Sequence, residues 1–250
     1  MPKSRQESLI RPERFDYDDG ERTGIHTHPT HQLVYAASGV LTLEIEDSRW
    51  VVPPLRAVWV PTGTRHELIA HGPTRTRPLY FDSSVDPPGI IGVTVITVSP
   101  LMRELIGELC RADPPAGEER GHLEDLIILQ LDRMPANPLK LPTLKDPRLV
   151  PIAERLHEDP TIRHSLKEWG REVGASERTL VRLFEAETGS SFGQWRAQLR
   201  LHHALVLLGR EEPVTTTAHL CGYHSASAFI ERFRKTLGTT PGRYFDRTSG

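Results

Sequence analysis

The stretch whose reading decides the fold is SERTLVRLFEAETG, Ser176 to Gly189. It predicts a short helix with a defined start and stop. Ser176 offers a hydroxyl to cap the first turn, Glu177 places a carboxylate near the positive end of the helix dipole, and Gly189 closes the helix. Leu180, Leu183 and Phe184 fall at i, i+3 and i+4, which makes one apolar stripe. Glu177, Arg178, Val181, Arg182 and Glu185 are then left facing outward. A helix held by one stripe, with two arginines on its other side, has what a major-groove reader needs. Any amphipathic surface helix has the same pattern, so the rest of the chain must decide.

Composition narrows the field. With 250 residues the chain has room for one large domain or two of ordinary size. No run approaches eighteen uncharged apolar residues, so no membrane span is expected. The N-terminal MPKSRQESLIRPERF has no apolar run behind its basic residues and does not read as a secretory signal. Cys110 and Cys221 are far apart and form no ligand motif, which fits two free thiols in a reducing cytoplasm. A net charge of −2 gives no general push toward nucleic acid.

From residue 15 to about 98 the chain reads as short strands. LTLEIE, Leu41 to Glu46, alternates apolar and polar, the period of a strand with one buried face. QLVYAA, RWVVP, AVWVP, HELIA, PLYFD and VTVITV are further β-rich runs broken by Gly, Pro, Asp or Ser, which predicts a sandwich or small barrel. After Ser99 the period becomes helical. SPLMRELIGELCRA aligns Leu101, Leu105 and Leu109, and GHLEDLIILQLDRM aligns Leu123, Ile127 and Leu131, which predicts a helical hairpin. PANPLKLPTLKDP, Pro135 to Pro147, carries too many prolines for a continuous helix and reads as a semi-rigid linker. The expected division is a first domain over 1–134, a linker over 135–147 and a helical domain over 148–250.

Sliding the chain by 49 residues lays the opening stretch on a partner. Ser176 falls on Ser225, Leu180 on Phe229, Phe184 on Phe233, Gly189 on Gly238 and Trp195 on Tyr244. Each copy has a short helix, a turn with glycine (Gly174 or Gly222) and a capped second helix, the pattern of a helix-turn-helix unit. SFGQWRAQLRLHHALVLLG joins the copies, and its stretch from Phe192 to Leu208 would span ~25 Å as a helix. A rigid helix of that length can hold two reading heads about one DNA turn apart.

The residues SLKEWGREVGASERTLVRLFEAETGSSFGQWRAQLRL and GYHSASAFIERFRKTLGTTPGRYF resemble the DNA-binding domain of the AraC/XylS family of transcription regulators. The resemblance covers about 148 to 246. In its more specific second signature Gly222, Tyr223, Ser225, Ser227, Phe229, Phe233, Gly238 and Pro241 match. It implies base-facing roles for Arg178, Thr179 and Arg182 in the first reading helix. In the second it implies Ala226, Ser227, Ala228, Glu231 and Arg232, with Ser225 at the start. Arg178 and Arg182 lie one turn apart, and either suits a bidentate contact to guanine. The second helix offers small or acidic groups at its tip, so it is expected to set register, with Arg232, Arg234, Lys235 and Arg243 available for phosphates or simply solvated. Gly170 and Thr217 depart from the family's preference for Ala and an aliphatic residue, and are expected to soften their helices. From Val150 onward 14 Lys and Arg stand against 12 Asp and Glu, which predicts a moderate salt slope for DNA binding.

The first domain carries a second pattern. From Gly20 the chain reads G-x5-H-x-H-x3-Q-x6-G to Gly39, and later P-x-G-x2-H over Pro61, Gly63 and His66. These resemble the two cupin motifs with their spacing intact, although Leu55 and Ala70 replace the first Gly and last Asn of the second motif. The resemblance implies metal ligands at His26, His28, Gln32 and His66, with Gln32 where Glu is commoner. Three imidazoles and an amide oxygen suit a divalent Zn, Ni, Mn or Fe, held more weakly for want of the carboxylate. The alternative is a metal-free effector pocket lined by the same side chains. His31 and His71 read as surface or packing residues.

The resulting expectation is an α+β two-domain chain: an N-terminal cupin-like β-barrel with a helical hairpin, then a C-terminal all-α double helix-turn-helix. It implies a cytoplasmic transcription regulator, not an enzyme. Its partners would be double-stranded DNA, a small-molecule effector, a second copy of itself and, if it activates, RNA polymerase. The hairpin Met102 to Met134 is the candidate dimer surface, unless both helices pack on their own barrel. The competing reading, a metal-dependent cupin oxygenase or isomerase with a helical appendage, leaves the 49-residue repeat unexplained.

Overall fold

The computed structural model describes residues 8–45, 48–87, 90, 92–131 and 140–245. In chain order the strands are β1 (Ile10–Pro12), β2 (Phe15–Tyr17), β3 (His31–Ile45), β4 (Ser48–Val52), β5 (Arg56–Val60), β6 (Glu67–Thr76), β7 (Leu79–Phe81), β8 (Thr94–Thr97) and β9 (Lys140–Pro142). The helices are α1 (Pro100–Leu109), α2 (Gly117–Leu131), α3 (Val150–Glu158), α4 (Leu166–Glu172), α5 (Glu177–Thr188), α6 (Phe192–Gly209), α7 (Val214–Leu220), α8 (Ala226–Leu237) and α9 (Pro241–Phe245). Two compact units result, one of the described residues up to 131 without 48–51, the other of 48–51 with 140–245. Among the described residues no helix is long and apolar enough to cross a membrane.

The first unit is built on β3. Its early residues pair antiparallel with β5 and β7, and its later ones with β6. β1 joins β7, β8 joins β5 and β2 joins β6. The ladders among the described residues therefore form two sheets sharing β3, without completing a ring. QLVYAA and LTLEIE, two strands in the sequence reading, are halves of this one strand. Its register slips between Ala36 and Val40, around Gly39. Gly39 has φ +77, and a Cβ there would meet the Pro73 carbonyl oxygen at 2.7 Å, so only glycine lets β6 approach.

The helical hairpin covers one face of this unit. Met102, Leu105, Ile106 and Leu109 of α1 and Ile127 and Leu131 of α2 share a core with Leu33, Tyr35, Trp59, Phe81 and Ile96. Leu101, expected in the buried stripe, is half exposed, because Pro100 begins the helix and the face turns toward Met102 and Ile106. The last residues of the expected hairpin, 132–134, lie outside the described residues.

In the second unit β9 pairs with β4, Ser48 opposite Pro142 and Trp50 opposite Lys140. Of the expected linker, residues 135–139 lie outside the described residues. Leu141 and Leu144, in the described part, are buried in one core with Trp169, Leu180, Phe184 and Trp195. The Trp195 indole donates to the Pro142 carbonyl at 3.4 Å.

Candidate functional site

The two reading heads are assembled from local rules. Ser165 and Glu168 close a capping box at the start of α4. Gly174 turns the chain at φ +67, and Ser176 caps α5 by accepting from the Thr179 amide at 3.1 Å. Gly189 ends α5 at φ +64. Leu180 and Phe184 are fully buried, Leu183 is half-buried, and Arg178 and Arg182 are exposed. Thr179 is partly covered, its hydroxyl 2.8 Å from that of Ser176.

The second head repeats the plan. Gly222 turns at φ +74, Ser225 accepts from the Ala228 amide at 3.2 Å, and Gly238 ends α8 at φ +84. Phe229, Phe233 and Leu237 are buried. Ser227, Glu231, Arg232, Arg234 and Lys235 are exposed, Ala226 and Ala228 are half-buried, and Arg243 is exposed on α9. Ser225 thus spends its hydroxyl on the helix cap. The 18-residue α6 joins the heads.

The two departures behave differently. A Cβ on Gly170 would come closer than 3.0 Å to the Ala175 carbonyl oxygen, so the tight turn into α5 requires glycine, contrary to the softening expected of it. Thr217 is fully buried with no hydrogen-bond partner for its hydroxyl, a real cost to α7.

In the first unit the histidines converge. His26 and His66 face each other in an isolated antiparallel bridge, each amide donating to the other's carbonyl at 2.9 Å. His26 and His28 lie on an extended segment rather than in a regular strand, yet both rings point the same way. Ring centroids stand 4.8 Å apart for His26–His28, 4.4 Å for His26–His66 and 5.4 Å for His28–His66. One ligand nitrogen from each lies within 4.8 Å of the others.

The tautomers follow from the neighbours. Nδ1 of His26 lies 2.8 Å from the Gly24 carbonyl and Nδ1 of His66 lies 2.9 Å from the Thr64 carbonyl. A proton on each Nδ1 leaves Nε2 as the unprotonated ring nitrogen, as metal-ligating histidines require, and sets that of His66 against the Gln32 amide oxygen as two acceptors facing one another. His66 Nε2 is 3.0 Å from the amide oxygen of Gln32, itself buried, and the Gln32 nitrogen donates to the Tyr80 hydroxyl at 3.1 Å. His28 Nε2 is buried without a hydrogen-bond partner. Burial lowers the pKa of His28 and takes His66 down to about 4, while it raises Tyr80 to about 12. The imidazoles of His28 and His66 are therefore neutral at physiological pH, and the donor set fits a divalent cation.

Beside them lies a cavity of about 310 Å³, lined among others by Arg11, Glu13, Tyr17, Tyr35 and Tyr80. Arg11 pairs with Glu13 and lies 4.6 Å from the Tyr80 ring centroid. Sequence reasoning missed these wall residues, because they come from separate strands and belong to no spaced motif. His31 stacks on Trp59 at 5.1 Å and accepts from the Thr62 amide, and His71 lies 2.7 Å from the Thr42 hydroxyl, away from the cluster.

Comparison with known proteins agrees with both halves. Residues 13–178 match the family described as AraC-like ligand binding domain, and residues 169–247 match a helix-turn-helix domain family. The HTH-type transcriptional regulator NimR of Escherichia coli is 36% identical over 232 residues, covering 89% of this chain and 82% of NimR. The HTH-type transcriptional regulator RipA of Corynebacterium glutamicum is 34% identical over 120 residues, covering 48% of this chain and 35% of RipA. Among solved structures, ToxT of Vibrio cholerae O395 aligns over 97% of this chain and 99% of its own at 12% identity, with a TM-score of 0.41.

Proposed function

The chain belongs to the AraC family of transcription regulators, and from that premise we propose how it reads DNA and what its sensor holds. α5 enters the major groove and carries most of the base readout through Arg178 and Arg182, with Thr179 beside them. α8 enters the neighbouring groove and sets register through Ser225, Ala226, Ser227 and Glu231, with Arg232, Arg234 and Lys235 on phosphates. The observation that carries this is the pair of capped helices 49 residues apart, each with its apolar stripe buried and its polar side exposed.

In the sensor, His26, His28, Gln32 and His66 hold a divalent Zn, Ni, Mn or Fe, and the adjoining cavity takes a small-molecule effector. Such an ion would supply a Lewis-acidic anchor for an effector donor atom. The buried stripe of the hairpin packs on its own sheet, so a second copy would have to dock on the outward side that carries Leu101, Leu126 and Leu129; the reading takes the working form to be a dimer in the cytoplasm. RNA polymerase is a further partner if the outcome is activation.

The test is a gel shift of the DNA flanking the gene, with Arg182→Ala as control. Wild type is expected to shift it at low salt and the variant to bind far more weakly; no shift by wild type overturns the reading. Metal analysis of the purified chain tests the sensor. Near-stoichiometric metal is expected in wild type and little in His26→Ala, and equal, negligible metal in both removes the ion.

A further inference from the structure

The loop that feeds α4, residues 159–165, is gripped from two directions. From α6, Arg200 donates through Nε to the Pro160 carbonyl at 2.9 Å and through Nη2 to the Ile162 carbonyl at 3.5 Å. Arg196, one turn earlier on α6, donates to the His164 carbonyl at 3.3 Å. From the other side comes the turn of the second helix-turn-helix unit. A Cβ built on Gly222 would stand 2.9 Å from Thr161 Cα and 3.0 Å from both the Pro160 carbonyl oxygen and Arg200 Nη2. Asp159 stiffens the same loop by accepting from the Thr161 amide and hydroxyl at 2.9 and 2.6 Å. The lead loop of the first helix-turn-helix unit, the connecting helix and the turn of the second helix-turn-helix unit therefore meet at one guanidinium.

We propose that Arg200 is a positioning residue for DNA reading, which locks the two helix-turn-helix units at one separation and one twist. A connecting helix fixes distance along its axis, but the angle at which each unit leaves that axis depends on side contacts. Arg200 supplies such a contact to the first helix-turn-helix unit and packs against the turn of the second. Its planar fork spans two carbonyls at once, which a lysine ammonium does not reproduce. The inference rests on the reading that α5 and α8 both enter DNA. Its consequence is spacing selectivity. One base pair added between the two subsites moves the second by about 3.4 Å and roughly a tenth of a turn. A locked pair of heads loses contacts on such a site, and a hinged pair adapts.

The experiment starts by selecting sites for the full-length wild type from a random duplex pool. From a selected site three probes are made, two with one base pair added or removed between subsites and one with the α5 subsite alone. Affinities are measured for wild type, Arg200→Met (which keeps the stem and removes the donors), Arg200→Lys and Gly222→Ala. Wild type is expected to lose about tenfold or more on the altered spacings. Arg200→Met and Gly222→Ala should cut that penalty to about threefold or less, with Arg200→Lys between, while the single-subsite probe is bound within about twofold of wild type. Variants that keep the wild-type spacing penalty overturn the proposal, as does a wild type indifferent to spacing. Equal loss on the single-subsite probe also overturns it, since Arg200 would then only support the fold. If circular dichroism finds Arg200→Met unfolded, Arg200→Lys and Gly222→Ala decide the same ratio. A wild type that selects no sequence refutes the underlying DNA reading instead.

Discussion

At the scale of single residues, two backbone positions set propensity against context. Gly170 lies within α4, where helix propensity alone favours alanine by about 1 kcal/mol. The Ala175 carbonyl, closer than 3.0 Å to where the new methyl would sit, reverses that sign, since it is backbone and cannot swing aside. Gly170→Ala is expected to destabilise the chain by about 1–3 kcal/mol in urea denaturation, and a stabilised variant would refute the close approach. Leu55 is the mirror case. It holds φ +64 at the place where the cupin-like motif has glycine, and its carbonyl accepts from the Val98 amide at 2.9 Å and from Arg56 Nη1 at 2.9 Å. Those bonds survive removal of the side chain. Glycine there relieves left-handed strain of about 1–2 kcal/mol, so Leu55→Gly is expected to raise the urea midpoint; a lowered midpoint would assign the leucine a packing role instead.

At the scale of elements, α5 and α8 have the same architecture and different chemistry. Arg178→Ala or Arg182→Ala should each cost about 1–3 kcal/mol of DNA affinity and relax preference at one or two base pairs. Arg234→Ala should weaken all sequences alike and reduce the salt slope by about 1, and Ser227→Ala should change little. Binding titrations on selected and scrambled duplexes at two salt concentrations separate these outcomes, and equal loss of discrimination from both helices would refute the division of labour. The ends of α5 and α8 were legible because their signals are local: a serine cap, an apolar stripe and a terminal glycine lie within fourteen residues. β3 was not legible as one strand, because Gly39 reads as a turn until β6 is seen to need the space. β1, β2 and β9 have three residues each, too few to establish a period of two. The histidine cluster was legible through its motif spacing. Its Tyr80 and Arg11 neighbours were not, since only strand pairing brings β1 and β7 to that wall.

At the scale of the molecule, each unit buries imidazole that is neutral at physiological pH. Burial lowers His66 in the first unit and His157 in the second to about 4, and lowers His203 as well; Arg49 also depresses His157. The ordinary value is 6.5, so the folded state binds fewer protons than the unfolded one between those limits. These groups therefore contribute stability that is fully present above about pH 6.5 and is lost as pH falls toward 4. The depressed carboxylates act lower down. Asp146, held at about 2 chiefly by its hydrogen bonds from Arg148, contributes above its ordinary 3.8 and loses that contribution only below it. The window from pH 6.5 to about 4.5 thus isolates the histidines, each worth at most about 1.4 kcal/mol per pH unit. Full-length chain followed by urea denaturation at several pH values should lose stability steadily across that window. His157→Gln removes one titrating group from the second unit, so it should flatten the dependence there while leaving the first unit's share intact. A variant whose stability falls as steeply as wild type would place the proton uptake elsewhere.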